Sequence, residues 1–306
     1  MRNANSRKFN RVLIVGGTHG NELTGIYVVR SGLGHKLDQF SFECVTLLAN
    51  PGAIAINQRY VDHDLNRSFA SESTARGVEA ELAQTLRERF GAGGSEPVDV
   101  IIDLHTTTAN MGKTLIIDEV SPDALPLAAI LSAQDPSLKV YSSWGSSRRD
   151  ALRTIAPLGV CIEVGPVAQG VLDATAYAQT QALLMLILQT LERINCEGFP
   201  AIMPVVTVYR YCGTIDYPRD AEGNLNAMIH PDLQARNYQL LQPGDALFMD
   251  FSGGTIGYEG EPTYPIFINE AAYYEKGIAA ILTEAFTLAS SSESQYNEGT
   301  PSMEIS

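Results

Sequence analysis

The chain has 306 residues, of which 45% are hydrophobic and 18% charged, enough apolar mass for one large domain or two unequal ones. Its formal charge of −14 repels phosphate backbones and anionic lipid, so neither nucleic-acid nor membrane partners are expected. The longest apolar run, ALLMLIL at 182–188, is too short to span a bilayer, and the N-terminal VLIVGG is too short for a signal-peptide core. Four cysteines without C-x-x-C spacing (Cys44, Cys161, Cys196, Cys212) read as buried thiols in a reducing compartment, so a cytoplasmic protein is expected.

Along the chain, five short runs read as buried parallel strands: RVLIVGG (11–17), FECVTLLAN (42–50), VDVIIDLH (98–105), KTLIIDE (113–119) and GVCIEVGP (159–166). Helical patterns lie between or after them at LTGIYVVRSGL, GVEAELAQTLRERF, DALPLAAILSA and TAYAQTQALLMLILQTLERI. Strands alternating with helices predict an α/β domain over residues 1–200, with a mostly parallel sheet flanked by helices. From 201 to 290 the texture changes to short β-rich pieces separated by YPRD, PGD and SGG, which predicts a smaller β-rich C-terminal domain. The polar segment 291–306 reads as a frayed tail.

In open α/β sheets, sites form at the carboxyl ends of the strands. Here those ends read THGNE, NPGA, HTTTANMG and EVGP, so His19, Glu22, His105 and Glu163 all fall on one rim. His19 and Glu22 form an H-x-x-E pair in a strand-to-helix turn, and His105 ends a strand far along the chain. Two imidazoles and a carboxylate, with water in the fourth position, make a catalytic zinc arrangement. H-x-x-E alone recurs by chance as a solvated His beside a capping Glu; the shared rim favours the metal reading. Asp103 is placed to orient His105, or is simply a carboxylate at the sheet end. The remaining histidines, His35, His63 and His230, read as structural.

Glu163 lies in the apolar run VCIEVGP, where a carboxylate must be paired or have a raised pKa. It is expected to serve as a general base, with a buried salt bridge as the alternative. Arg59 and Arg67 flank DHDLNR, and Arg148, Arg149 and Arg153 precede the Glu163 strand. Arginine forks of this kind bind carboxylates and can stabilise an oxyanion. MGKT lacks the first glycine of a phosphate-binding loop (Thr107 stands there), and no G-x-S-x-G elbow is present.

GGTHGNELTG (16–25), DLNRSF (64–69), DLHTTTANMG (103–112), IEVGP with QGV (162–171), DYPRD (216–220) and NEAAYYEK (269–276) resemble the aspartoacylase family, similar in fold to the zinc carboxypeptidases. The resemblance runs in order from about residue 11 to 280. It implies one zinc per chain on His19, Glu22 and His105, and hydrolysis of N-acetyl-L-aspartate to acetate and aspartate. It further implies Glu163 as the catalytic carboxylate and Arg59 as the group polarising the scissile carbonyl. Asn66 and Arg67 would hold the α-carboxylate with Tyr273 nearby, and Arg153 the side-chain carboxylate. A homo-oligomer is consistent with the family. Arg149 and Gly277 depart from the family pattern, and both bear on the side-chain pocket. A deacylase of other N-acyl amino acids such as aromatic ones, a carboxypeptidase-like enzyme, or a catalytically silent metal-binding protein are the competing readings.

Overall fold

Alternation along the first strand sets the layering. In RVLIVG, Val12 and Ile14 enter one apolar core, whereas Leu13 and Val15 enter another. Successive side chains of a strand point to opposite faces, so such a strand is covered on both sides. The computed structural model describes residues 8–70, 76–118, 121–143 and 150–288.

The strands are β1 (Arg11–Gly16), β2 (Glu43–Leu48), β3 (Val100–Thr106), β4 (Gly112–Ile117), β5 (Lys139–Ser142), β6 (Leu158–Gly165), β7 (Val206–Asp216), β8 (Ala227–Ile229), β9 (Ala246–Asp250), β10 (Thr255–Gly257) and β11 (Ile278–Leu288). The helices are α1 (Leu23–Tyr27), α2 (Pro51–Ile56), α3 (Val78–Phe90), α4 (Ala124–Gln134) and α5 (Ala174–Glu197). Eight strands form one sheet in the order β11-β7-β5-β4-β6-β3-β1-β2. Leu127 and Leu131 of α4 and Leu184 and Leu188 of α5 close one face, while Leu86 and Phe90 of α3 close the other. Each fully buried leucine or phenylalanine contributes roughly 1.5–3 kcal/mol.

The sheet is mixed and mostly parallel, as expected, with two corrections to individual elements. The run 113–119 was expected to be a parallel strand; β4 does pair parallel with β5, but it runs antiparallel to β6. The neighbouring β5 is only four residues, too short to carry a periodic signal. The helix expected over 23–33 keeps α geometry only to Tyr27 and continues as a π turn, Val28–Gly32. The β-branched pair Val28–Val29 weakens helix propensity there.

After residue 200, β7 and β11 pair antiparallel over their length, and β7 also joins β5 in the main sheet. Their far ends, at Ile215, Tyr217, Ala279 and Ala280, enter a separate core with Leu247, Phe248 and Tyr258. There a three-stranded antiparallel sheet, β10-β9-β8, completes the smaller lobe. Two long strands therefore run from the central sheet into this lobe and hold its loops over the strand ends.

Among the described residues, no helix is long and apolar enough to cross a membrane. The four cysteines are free. Only Cys161 is buried and Cys44 is partly so, whereas Cys196 and Cys212 are exposed, which corrects the expectation of four buried thiols. Cys212 lies on β7 beyond the stretch covered by the main core, so burial could not be read from strand pattern alone.

Candidate active site

Parallel pairing of β1, β3 and β6 brings their carboxyl ends to one rim, and the register sets His105 opposite Glu163. The turn after β1 carries His19, and Glu22 stands at the start of α1. What brings this turn close is Gly25: a Cβ there would lie 2.6 Å from the Leu104 carbonyl oxygen. Without a side chain, α1 seats directly on the end of β3 beside His105.

His19, Glu22 and His105 are each about 95% buried, and one ligand atom from each lies within 4.8 Å of the others. His19 Nδ1 is 2.6 Å from Glu22 Oε1, and His105 Nδ1 is 2.9 Å from Glu22 Oε2. The outer nitrogens also face carboxylates. His19 Nε2 is 3.1 Å from Asp64 Oδ1, and His105 Nε2 is 2.8 Å from Asp103 Oδ2. Those carboxylates can accept from each Nε2–H, so each Nδ1, turned toward Glu22, is the nitrogen placed to ligate a cation. The two Nδ1 atoms are 3.1 Å apart. Two imidazole nitrogens and a carboxylate converging in a buried place are the arrangement that a shared cation needs. The donor set therefore fits a zinc ion with an open position.

Thr18 Oγ1 donates to Asp103 Oδ1 and Asn66 Nδ2 to Asp103 Oδ2, so this carboxylate is held from two sides. Asp64 was not singled out from the sequence, yet it joins His19 to Arg59, whose Nη2 donates to it at 3.0 Å. Burial alone would raise the Asp64 carboxyl, but His19, Arg59 and Arg67 hold it well below the usual carboxylate range. Arg59 Nη1 also donates to Glu22 Oε1 at 3.2 Å, so a fixed positive charge borders the metal place. The signal that could have found Asp64 is chemical rather than periodic: a second imidazole beside a metal would need its own acceptor.

Glu163 is 7% exposed and lines the cavity. No hydrogen bond or ion pair ties it to another described residue, which removes the salt-bridge alternative within those residues. Burial pushes its carboxyl up, and the carboxylates of Glu22 and Glu270 add to this, against the opposing pull of His105 and Arg59.

The cavity measures about 500 Å³ and also takes in Asn66, Arg67, Arg153 and Tyr273. These four are differently engaged. Asn66 Oδ1 accepts from Leu152 N and its amide nitrogen is held by Asp103, so it braces the rim. Arg67 is partly exposed, with Nε 3.9 Å from Asp150. Tyr273 sits in a 3-10 turn, Ala271–Lys276, where desolvation pushes its hydroxyl up to about 12. Arg153 pairs with Asp118. Gly277, one of the two departures from the family pattern, closes that 3-10 turn at φ 74°, a conformation that disfavours residues with a side chain. Arg148 and Arg149 lie outside the described residues. The three other histidines bind elsewhere: His35 to Asp38, His63 to the Arg76 carbonyl and His230 to Asp232.

Two further carboxylates, unassigned from the sequence, hold the site loops. Glu270 caps the 3-10 turn and accepts from Thr108 N at 2.8 Å, Thr108 Oγ1 at 2.9 Å, Ala109 N at 3.1 Å and Thr107 Oγ1. It thus joins the Tyr273 turn of the smaller lobe to the loop that follows His105. Glu79, fully buried, accepts from Val61 N, Asp62 N and His63 N and from Asn50 Nδ2. Burial raises the Glu79 carboxyl, but these four donors outweigh it and the net direction is down.

A depressed folded pKa gives stability that is complete above the unfolded value, about 4.3 for Glu. That stability is lost as pH falls through the lower folded value. Glu79→Gln is therefore expected to lower the melting temperature most near about pH 7, with the gap to wild type narrowing toward about pH 3.5. Thermal melts across that range check this; a gap that is constant with pH would mean that the charge is not the stabilising feature.

The sequence matches two family descriptions in succession. Residues 8–191 match the succinylglutamate desuccinylase/aspartoacylase catalytic domain, and residues 204–285 the AstE/AspA barrel-sandwich hybrid domain. The chain belongs to the succinylglutamate desuccinylase/aspartoacylase family. A probable aspartoacylase of Nostoc sp. is 46% identical over 289 residues, covering 90% of this chain and 97% of the relative. A human N-acyl-aromatic-L-amino acid amidohydrolase (carboxylate-forming) is 42% identical over 293 residues, covering 90% and 91%. Among solved structures, murine aminoacylase 3 superposes with a TM-score of 0.85 at 35% identity, covering 93% of this chain and 98% of that one.

Proposed function

We propose that the chain is a zinc-dependent deacylase of small anionic N-acyl-L-amino acids, releasing a carboxylic acid and the free amino acid. The observation that carries this reading is the convergence of two outward-held imidazoles and Glu22 beside a buried Glu163 that is unpaired among the described residues. His19, Glu22 and His105 would hold the zinc, one per chain. When bound there, zinc supplies a Lewis acid that makes its water more acidic and polarises an amide carbonyl.

The chain's own groups do the rest. Glu163 takes the proton of the attacking water and returns it to the departing amine nitrogen. Its dry surroundings keep the proton affinity high enough for both halves of that task. Arg59, fixed by Asp64 and Glu22, presents positive charge where negative charge gathers on the carbonyl oxygen. Asn66 and Arg67 receive the α-carboxylate with Tyr273 nearby, and Arg67 Nη1 donates to the Asn66 carbonyl. Arg153 marks the side-chain end of the cavity. The proposed setting is cytoplasmic.

N-acetyl-L-aspartate is the first substrate proposed, because Arg153, although paired with Asp118, lines the cavity where a side-chain carboxylate would lie. Aromatic side chains form a second reading, favoured by Tyr141, Tyr211 and Phe267 in the cavity wall. Metal analysis with an assay of acetate release tests the proposal. Purified protein is expected to hold one zinc per chain, to lose activity to a chelator, and to regain it when zinc is restored. Full activity in protein stripped of metal would overturn it.

A further inference from the structure

We infer that Asp118 sets the side-chain selectivity of the cavity by neutralising Arg153; this rests on the deacylase reading above. Arg153 Nη2 donates to Asp118 Oδ1 at 3.1 Å, and its Nε lies 2.9 Å from Asp118 Oδ2. The Nε contact is an ion pair rather than a directed hydrogen bond, so that N–H keeps no acceptor. Ser143 Oγ donates to the same carboxylate at 2.5 Å and fixes its orientation. Asp118 follows directly on β4, which ends at Ile117, so its backbone is anchored to the central sheet.

Arg153 and Ser143 line the cavity but Asp118 does not. The protein thus supplies, from behind the guanidinium, the carboxylate that an acidic substrate side chain would otherwise supply from the front. Among the described residues, Asp118 is the carboxylate that pairs with this guanidinium. Burial keeps the Cys161 thiol protonated and the Tyr141 hydroxyl neutral, and Asp103 is committed to His105. A carboxylate entering the cavity meets a compensated ion pair and must share or displace Asp118. An uncharged side chain meets the aromatic wall and pays no such competition. Asp118 therefore sets the balance between acidic and uncharged N-acyl amino acids.

The experiment compares kcat/KM for N-acetyl-L-aspartate and N-acetyl-L-phenylalanine in zinc-loaded wild type, Asp118→Asn, Arg153→Leu and the double variant. Asp118→Asn keeps the shape and the Ser143 contact while releasing the charge. The ratio of acetyl-aspartate to acetyl-phenylalanine is expected to rise about tenfold or more in Asp118→Asn. The double variant should show no such rise over Arg153→Leu, because the effect runs through that guanidinium. Calorimetric titration of L-aspartate gives a second readout, in which Asp118→Asn binds it more tightly than wild type. An unchanged or lower ratio in a variant with wild-type zinc content overturns the role of Asp118 and leaves the deacylase reading standing. Wild type that hydrolyses neither substrate overturns both. Should Asp118→Asn fail to hold zinc, Asp118→Ser is measured in its place with the same two outcomes.

Discussion

Glu163→Gln is expected to keep stoichiometric zinc and the wild-type fold while turnover falls on the order of 10³-fold. The amide is isosteric with the carboxylate, and Glu163 makes no hydrogen bond or ion pair to another described residue, so folding has little to lose. The loss falls on proton transfer. A glutamine cannot accept the water proton, and it has none to return to the amine. Because the zinc ligands and the arginines are untouched, KM should change much less than kcat. Zinc content and single-substrate kinetics on the same preparation check this. Turnover within a few-fold of wild type would remove Glu163 from the reaction and leave the metal place without a base.

Glu270→Ala is the second large effect, and it acts at a distance from the reacting atoms. The Glu270 carboxylate accepts from two hydroxyls and from the Thr108 and Ala109 amides, while its second oxygen takes the Ala272 amide. Hydrogen bonds to a charged acceptor contribute about 1.5–3 kcal/mol each, and their loss here leaves buried donors without partners. We expect destabilisation of about 3 kcal/mol or more, read as a lowered urea midpoint. The same carboxylate ties the Tyr273 turn to the loop beyond His105, so KM should rise in the fraction that remains folded. Glu270→Gln should recover part of the stability but little of the KM, since its oxygen can keep the four donors of the Thr107–Ala109 loop while its amide nitrogen cannot accept from Ala272 N in the Tyr273 turn. A variant with normal KM and normal midpoint would show that the two lobes are held together by other contacts, such as Tyr238 with Thr114.

Much of the architecture was legible in the chain. The strands β1, β2, β3, β4 and β6 lie within the apolar runs or extend past them by a single residue, because a strand covered on both faces needs unbroken β-branched and apolar sequence. Direction was less legible. Nothing in KTLII specifies that β4 runs antiparallel to β6, since a buried strand reads alike in either orientation. The four residues of β5 gave no periodicity, and their partners, β4 and β7, lie far from them in sequence.

The three residues His19, Glu22 and His105 were visible because chemistry restricts which side chains bind a cation, and strand ends restrict where they stand. Glu163 was visible because a carboxylate among Val, Ile and Cys is costly. The supporting carboxylates were not. Asp64, Glu79, Glu270 and Asp118 look like ordinary surface acids in a chain with 35 acidic residues, and only their partners distinguish them. Those partners lie between 5 and 163 residues away, at Arg59, His63, Thr107 and Arg153.

The sequence by itself determined the sheet-forming runs, the rim on which polar residues gather, and the set of donors suited to zinc. Each follows from local pattern and side-chain chemistry. Only the tertiary structure decided which nitrogen of each histidine faces inward, that Glu163 has no hydrogen bond or ion pair among the described residues, and that Arg153 already has a carboxylate. Those are properties of distance and orientation between groups far apart in the chain, which no spacing along it encodes.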